Sequence, residues 1–281
     1  MTPIRFVHIT DLHISAPELA DPGLASDTTS TLRTVRGLIE AMDPAPAFVI
    51  ASGDLTNHGD VASFAALKAL MDGFAVPVLW ALGNHDSRPG YWQGMAGRDH
   101  DLDAPLDHEA VIGGAHVIVL DTSRKGRIGG DLDDAQFAFL DAALGREPDR
   151  PKLVVMHHAP ALDRDAAWEW EGLSFAATDR LAAMLPGRGV QGIFSGHIHM
   201  DRFSQWHGIP VIIGMGQHNA LDPLHAGPGI RAVRGSSLTL CTLRASGLTV
   251  TCAPLPSDRA ELRVITLDQL AAYEAALAAA E

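Results

Sequence analysis

The chain has only two cysteines in 281 residues, too few for a disulfide framework. Cys241 and Cys252 read as two buried thiols, the common state of unpaired cysteine. Their neighbouring predicted strands leave one bridge open. A basic surface is missing as well. Acidic residues number 34 against 21 basic ones, for a net charge of −13, and there is no run of Lys or Arg. A protein that neutralises many phosphates needs such a surplus, so an extended nucleic acid or an anionic membrane surface is excluded as the expected partner. No apolar run reaches about 18 residues, which excludes a membrane-spanning helix. The opening "MTPIRFVHITDLH" enters an apolar strand at once, without the basic and apolar regions of a secretion signal. A cytoplasmic location is the resulting expectation. There is no G-x-S-x-G, no Cys–His pattern, no P-loop and no G-x-G-x-x-G after a strand. Protein nucleophiles, ATP and NAD therefore have no support. No internal repeat stands out.

What is present fits a globular chain: 47% hydrophobic and 20% charged residues. The length suits one domain over 1–281. Strands are predicted at 4–10, 47–52, 76–82, 115–121, 152–157 and 190–195. Most are continuous apolar runs, as expected of strands covered on both faces. Helical spacing recurs at 31–42, where Leu32, Val35, Ile39 and Met42 share a face, and at 60–72, 134–144 and 174–185. Strand–helix alternation predicts an α/β domain. Beyond residue 200 short strands dominate, at 210–214, 236–243, 248–253 and 261–266. Segment 219–235 reads as a loop. Residues 219–266 read as a strand-rich appendage or dimerisation element, and 267–280 as a terminal helix.

Polar residues collect just past the strands. "TDLH" carries Asp11 and His13, and "SGDLTNHGD" carries Asp54. "LGNHDSRPG" carries Asn84, His85 and Asp86. "VVMHHAP" carries His157 and His158, and "SGHIHM" carries His197 and His199. Each piece alone is weak: a lone histidine after a strand is usually structural, and Asp54 could sit in an Asx turn. Together they place ligand-type residues at five strand ends, the edge where open α/β sheets bind ligands. Converging buried Asp and His side chains need a cation. Asp11, His13, Asp54, Asn84, His157, His197 and His199 are too many for one four-coordinate ion. If Asp54 shares its two oxygens, they suffice for two ions about 3.5–4 Å apart, the arrangement that clamps phosphoryl groups. Nitrogen and oxygen donors without thiolate leave Fe, Mn, Zn and Co open.

The ordered series "DLH … GD … GNHD … H … GHIH" resembles the signature of the calcineurin-like metallophosphoesterases. It runs from Asp11 to His199. The resemblance implies a four-layer αββα sandwich with mixed sheets and an active site at the strand C-terminal ends. It implies that Asp11, His13 and His199 bind one metal, that Asn84, His157 and His197 bind the other, and that Asp54 bridges. It assigns His85 to the phosphate and leaving group, with Asp86 orienting His85, and it implies hydroxide attack on phosphorus. Its Fe- and Mn-containing members favour those two metals. "GNHDSRPG", the "VLDTSRKGRIGG" segment and "MHHAP" look most like bacterial class III cyclic nucleotide phosphodiesterases and their glycerophosphodiesterase relatives. The expected substrate is a small phosphodiester; phosphomonoesters and phospholipid headgroups are the alternatives, and a non-catalytic metal-binding scaffold is the remaining one. Such relatives also suggest a homodimer or larger homo-oligomer.

Four peripheral features have two readings each. Arg88 and the 124–127 segment are substrate contacts or solvated loop charges. Trp92, Trp168 and Trp170 stack on a substrate or pack beneath loops. His218 is an outer contact to the site or a structural residue. His158 points away from the ligands or joins them.

Overall fold

Strand β1 (Ile4–Ile9) sends alternate side chains into two different cores. Ile4 and Phe6 meet Phe48, Ile50, Leu153, Val155 and Phe194. Val7 and Ile9 meet Leu32, Val35, Ile39, Phe64 and Leu67. This follows from the two-residue period of a strand covered on both faces. The coordinates are a computed structural model and describe residues 2–19, 21–164, 171–256 and 260–279.

The chain continues through α1 (Thr28–Glu40), β2 (Val49–Ser52), α2 (Val61–Leu70) and β3 (Val78–Ala81). A short turn, α3 (Arg88–Gly90), runs into a wide π-type turn at Tyr91–Met95. Then come β4 (His108–Ile112), β5 (Ala115–Leu120), α4 (Asp134–Gly145), β6 (Lys152–Met156), α5 (Phe175–Met184) and β7 (Val190–Ser195). The final third holds β8 (Arg202–Trp206), β9 (Ile209–Ile213), β10 (Ala220–Leu221), β11 (Ile230–Val233), β12 (Ser237–Arg244), β13 (Gly247–Pro254), β14 (Glu261–Ile265) and α6 (Leu267–Ala279).

Three sheets result among the described residues. One has the order β13-β12-β1-β2-β3 and another β4-β5-β6-β7-β9-β8; a small one has β10-β11-β14. Both large sheets are mixed. β1-β2-β3 and β5-β6-β7-β9 run parallel, while β12, β4 and β8 join antiparallel. The two large sheets face each other across the core that holds Phe6 and Phe194. Helices α1 and α2 cover one outer face. Helices α4 and α5 cover the other, where Phe137, Leu140 and Leu181 meet Ile118, Val154 and Ile193. Three interlayer cores make four layers, α-β-β-α. The four covering helices each begin on a side-chain cap: Asp27, Asp60, Asp133 and Ser174 accept from backbone N–H groups one turn ahead. Asp133 completes a capping box with Gln136.

Several expectations change. Segment 219–235 is not simply a loop, because it contains β10 and β11, which are too short to give a two-residue period. β4 and β8 went unpredicted: each is an edge strand, half-exposed and mixed in polarity. β12 pairs along β1 from Ile4↔Leu243 to His8↔Thr239, so 237–254 belongs to the first large sheet. Both thiols are free, and only Cys241 is buried; Cys252 on the edge strand β13 is exposed.

Candidate metal centre

Strands β1, β2 and β3 of one sheet and β6 and β7 of the other end at a common edge. Ordinary strand geometry stops there. Asp11, His13, Asp54, His197 and His199 all have positive φ, between 45° and 78°. Non-glycine residues rarely adopt this region, and clusters of such residues persist only where surrounding structure enforces them. The abrupt turns swing side chains inward from the strand ends.

Close packing enforces the turns. A Cβ on Gly83 would lie 2.2 Å from Asp54 Oδ1, and one on Gly196 would lie 2.0 Å from Thr10 Oγ1 and 2.3 Å from Asp11 Oδ2. Gly196 thus makes room for the end of β1. The N–H of His197 donates to Asp11 Oδ2 at 3.1 Å.

Among the described residues the donor atoms form three groups, one of them His13, His199 and His218. One oxygen or nitrogen from each of Asp11, His13, Asp54 and His199 lies within 4.8 Å of the others. His157, His158 and His197 form the third. Asp54 touches the last two: its Oδ2 lies 3.6 Å from His13 Nε2 and 3.3 Å from His157 Nε2. His199 Nε2 lies 3.2 Å from Asp11 Oδ1. Asn84 follows β3 at the same edge.

The imidazoles are held from behind. His13 Nδ1 bonds Asn57 Oδ1 at 2.8 Å, His157 Nδ1 bonds the Ser52 carbonyl at 2.9 Å, and His199 Nδ1 bonds Asn219 Oδ1 at 3.1 Å. With a proton on Nδ1, each ring is left with Nε2 facing inward as the nitrogen a cation would take. This is the usual way ligand histidines are oriented. His157 Nε2 and Asn84 Oδ1 are buried with no hydrogen-bond partner. Unsatisfied buried atoms are costly, and here they are Lewis bases aimed at a nest of carboxylates. The donor set fits a divalent cation.

The electrostatics of the metal-free site agree. Burial disfavours the charged form of His157, but Asp54 and Asp11 overcome it and push the imidazole up to about 9. His199 is raised against the same burial by Asp11. Burial opposes ionisation of Asp54, yet His157 and His85 hold it well below the usual carboxylate range. His13 is lowered well below its ordinary value by burial, then by His218 and His85. In effect protons on His157 and His199 stand where positive charge is required.

The residues near His85 depart from expectation. The Asp86 carboxylate does not bond the His85 ring. It accepts from the N–H groups of Gly83, Leu55 and Thr56 and from the Thr56 hydroxyl, at 2.9–3.0 Å. It therefore ties the loops after β2 and β3 together, because those N–H groups have no strand partner. His85 Nδ1 instead donates to the Asn57 carbonyl at 3.0 Å, and its N–H donates to Asp54 Oδ1 at 2.9 Å. Asn57 was not singled out from the sequence, although it lies in "SGDLTNHGD". Its amide accepts from His13 and donates to Asp21 Oδ2 at 2.6 Å, while its carbonyl orients His85. An amide three residues after an expected ligand was the available signal.

His158 does not point away as expected: its ring lies 4.5 Å from that of His197, yet both its nitrogens are engaged elsewhere. Its Nδ1 meets Thr122 Oγ1 at 2.8 Å and its Nε2 meets the Ile128 carbonyl at 2.9 Å. The His218 ring sits 4.7 Å from that of His13, and burial, then His199, lowers it to about 3. Trp92 packs: its indole N–H donates to the Ala104 carbonyl at 2.8 Å, and Arg98 lies over its ring. Trp168 and Trp170 lie outside the described residues.

Paired sheets that bring two linked donor nests to one edge define a metal-dependent phosphoesterase. A sequence profile of the calcineurin-like phosphoesterases matches residues 4–201, and the chain belongs to that family. Among its relatives is a protein of Rhodococcus erythropolis named "Probable cyclic nucleotide phosphodiesterase", 34% identical over 74% of this chain and 68% of that one. A cAMP/cGMP dual specificity phosphodiesterase of Mycobacterium tuberculosis is 28% identical over 82% of this chain and 72% of its own. The fold is shared with a dimetal phosphatase of Danio rerio, at 15% identity and a TM-score of 0.60, covering 91% of this chain and 99% of that one.

Proposed function

We propose that the chain is a dinuclear phosphodiesterase acting on small phosphodiesters, with 3′,5′-cyclic nucleotides as the leading class. The observation that carries this reading is the double nest joined at Asp54 Oδ2, with an imidazole Nε2 on either side. Asp11, His13 and His199 would hold one ion; Asn84, His157 and His197 the other; Asp54 would bridge. Bound there, Fe, Mn, Zn or Co would supply Lewis acidity and lower the pKa of a water. His85 also lines the cleft beside these ligands. Its Nδ1 faces the Asn57 carbonyl, so Nε2 is the nitrogen that would donate to a departing alkoxide. Relatives named as cyclic nucleotide phosphodiesterases support the diester class. A cytoplasmic location is part of the proposal; among the described residues no helix is long and apolar enough to cross a membrane. The test loads purified protein with Mn²⁺ and compares bis(p-nitrophenyl) phosphate with p-nitrophenyl phosphate, then 3′,5′-cyclic AMP with glycerophosphocholine. Cleavage of the monoester alone overturns the diesterase reading.

A further inference from the structure

The cleft beside the metal centre has a volume of about 1020 Å³ and extends from Asn84 and His85 to the 123–131 loop. That is at the upper end for small-molecule sites and exceeds what a single mononucleotide fills. Four cations line it, in a chain of net charge −13. Two are already engaged. Arg88 Nε donates to the buried Asp121 at 2.8 Å, and Arg124 lies 3.9 Å from Asp133. Lys125 and Arg127 are exposed and have no ion-pair partner among the described residues. Asp103 and Glu274 also line the cleft, and neither pairs with them.

The loop that carries these two cations is held in place. Its neck closes where the Asp131 N–H donates to the Thr122 carbonyl at 3.1 Å. Its tip turns at Gly126, with the Arg127 N–H on the Arg124 carbonyl at 3.0 Å. His158 pins it from inside, through Thr122 and the Ile128 carbonyl. His158 is the chain neighbour of His157, so the loop is anchored to the strand end that supplies a proposed ligand.

We propose that Lys125 and Arg127 form a second anion subsite, so that the chain favours phosphate esters bearing another phosphate beyond the one at the metal centre. This rests on the phosphodiesterase reading above and narrows its substrate class. A 3′,5′-cyclic mononucleotide has one phosphate and leaves the subsite empty. Phosphate is the anion best matched here, because Arg and Lys at an exposed wall gain most from a multiply charged group.

The test uses Mn²⁺-loaded full-length protein. Adenosine 5′-monophosphate and adenosine 3′,5′-bisphosphate are compared as inhibitors of bis(p-nitrophenyl) phosphate hydrolysis, and their binding is measured by calorimetry. Two exposed cations predict that the bisphosphate binds about tenfold tighter to the natural protein. In Lys125→Ala/Arg127→Ala the ratio should drop to about two, the statistical advantage of offering two phosphates to one site. An Arg33→Ala/Lys68→Ala control removes two cations outside the cleft and should keep the tenfold ratio. Equal binding to the natural protein, a ratio that survives the cleft substitutions, or one lost equally in the control overturns the subsite. If bis(p-nitrophenyl) phosphate is not cleaved, the diesterase reading falls by itself, and the calorimetric ratio still decides the subsite.

Discussion

The strand bodies and the strand ends of this protein obey different rules. Within β1, β2, β6 and β7 nearly every residue is buried and most are apolar, and the backbone does what its β-branched and aromatic residues prefer. A residue or two later, Asp11, Asp54 and His197 sit at positive φ with buried polar side chains. The bodies minimise local conflict; the ends accumulate it. Strain, desolvated charge and bare nitrogens are tolerated where a bound cation can offset them.

The largest expected effect comes from cutting the link between the two donor groups. Asp54→Ala should bring hydrolysis to background and remove one or both metals, as read by elemental analysis after reconstitution. Retention of two equivalents would show that the ends do not depend on the shared carboxylate. His85→Ala should keep both metals and slow turnover by about 10²–10⁴-fold. The loss should be greater for poor leaving groups; an equal loss on activated and unactivated esters would remove the acid role.

Asn57→Ala probes the support behind the nest. It should cost about 10–100-fold in activity or metal affinity, the usual scale for a residue orienting a ligand histidine. The main-chain carbonyl of residue 57 that holds His85 is retained in this variant. A change in stability alone would make Asn57 structural. Phe64→Ala, in a strand-covering helix, gives the opposite profile. It should lower unfolding free energy by about 3–5 kcal/mol while metal stoichiometry is unchanged.

The smallest effect is on pH. In the metal-free protein His157 is raised from 6.5 to about 9, by Asp54 acting against burial. A raised folded pKa contributes stability that is fully present below pH 6.5 and lost as pH rises through about 9. Metal-free protein should therefore lose stability between pH 6.5 and 9 in urea titrations. Metal affinity should rise over the same window, since proton and cation compete for one nitrogen. A metal-loaded protein that follows the metal-free trend would show that His157 is no ligand.

Much of this was legible in the chain. Continuous apolar runs marked the covered strands, and 3.6-residue spacing marked the four covering helices. Edge strands β4 and β8 were not legible, because half-exposed strands carry no strong pattern. Asp86 was misassigned for a similar reason. Its neighbour in sequence is His85, but its partners are backbone N–H groups from another strand end.

The residue types at five strand ends were determined by sequence alone, because ligand chemistry requires particular atoms at particular spacings. The meeting of Asp54 Oδ2 with both His13 and His157, the support from Asn57 and the cleft that joins His85 to Lys125 and Arg127 were decided only by tertiary structure. Each depends on side chains meeting across layers, and contacts between residues far apart in the chain leave no local periodicity from which to read them.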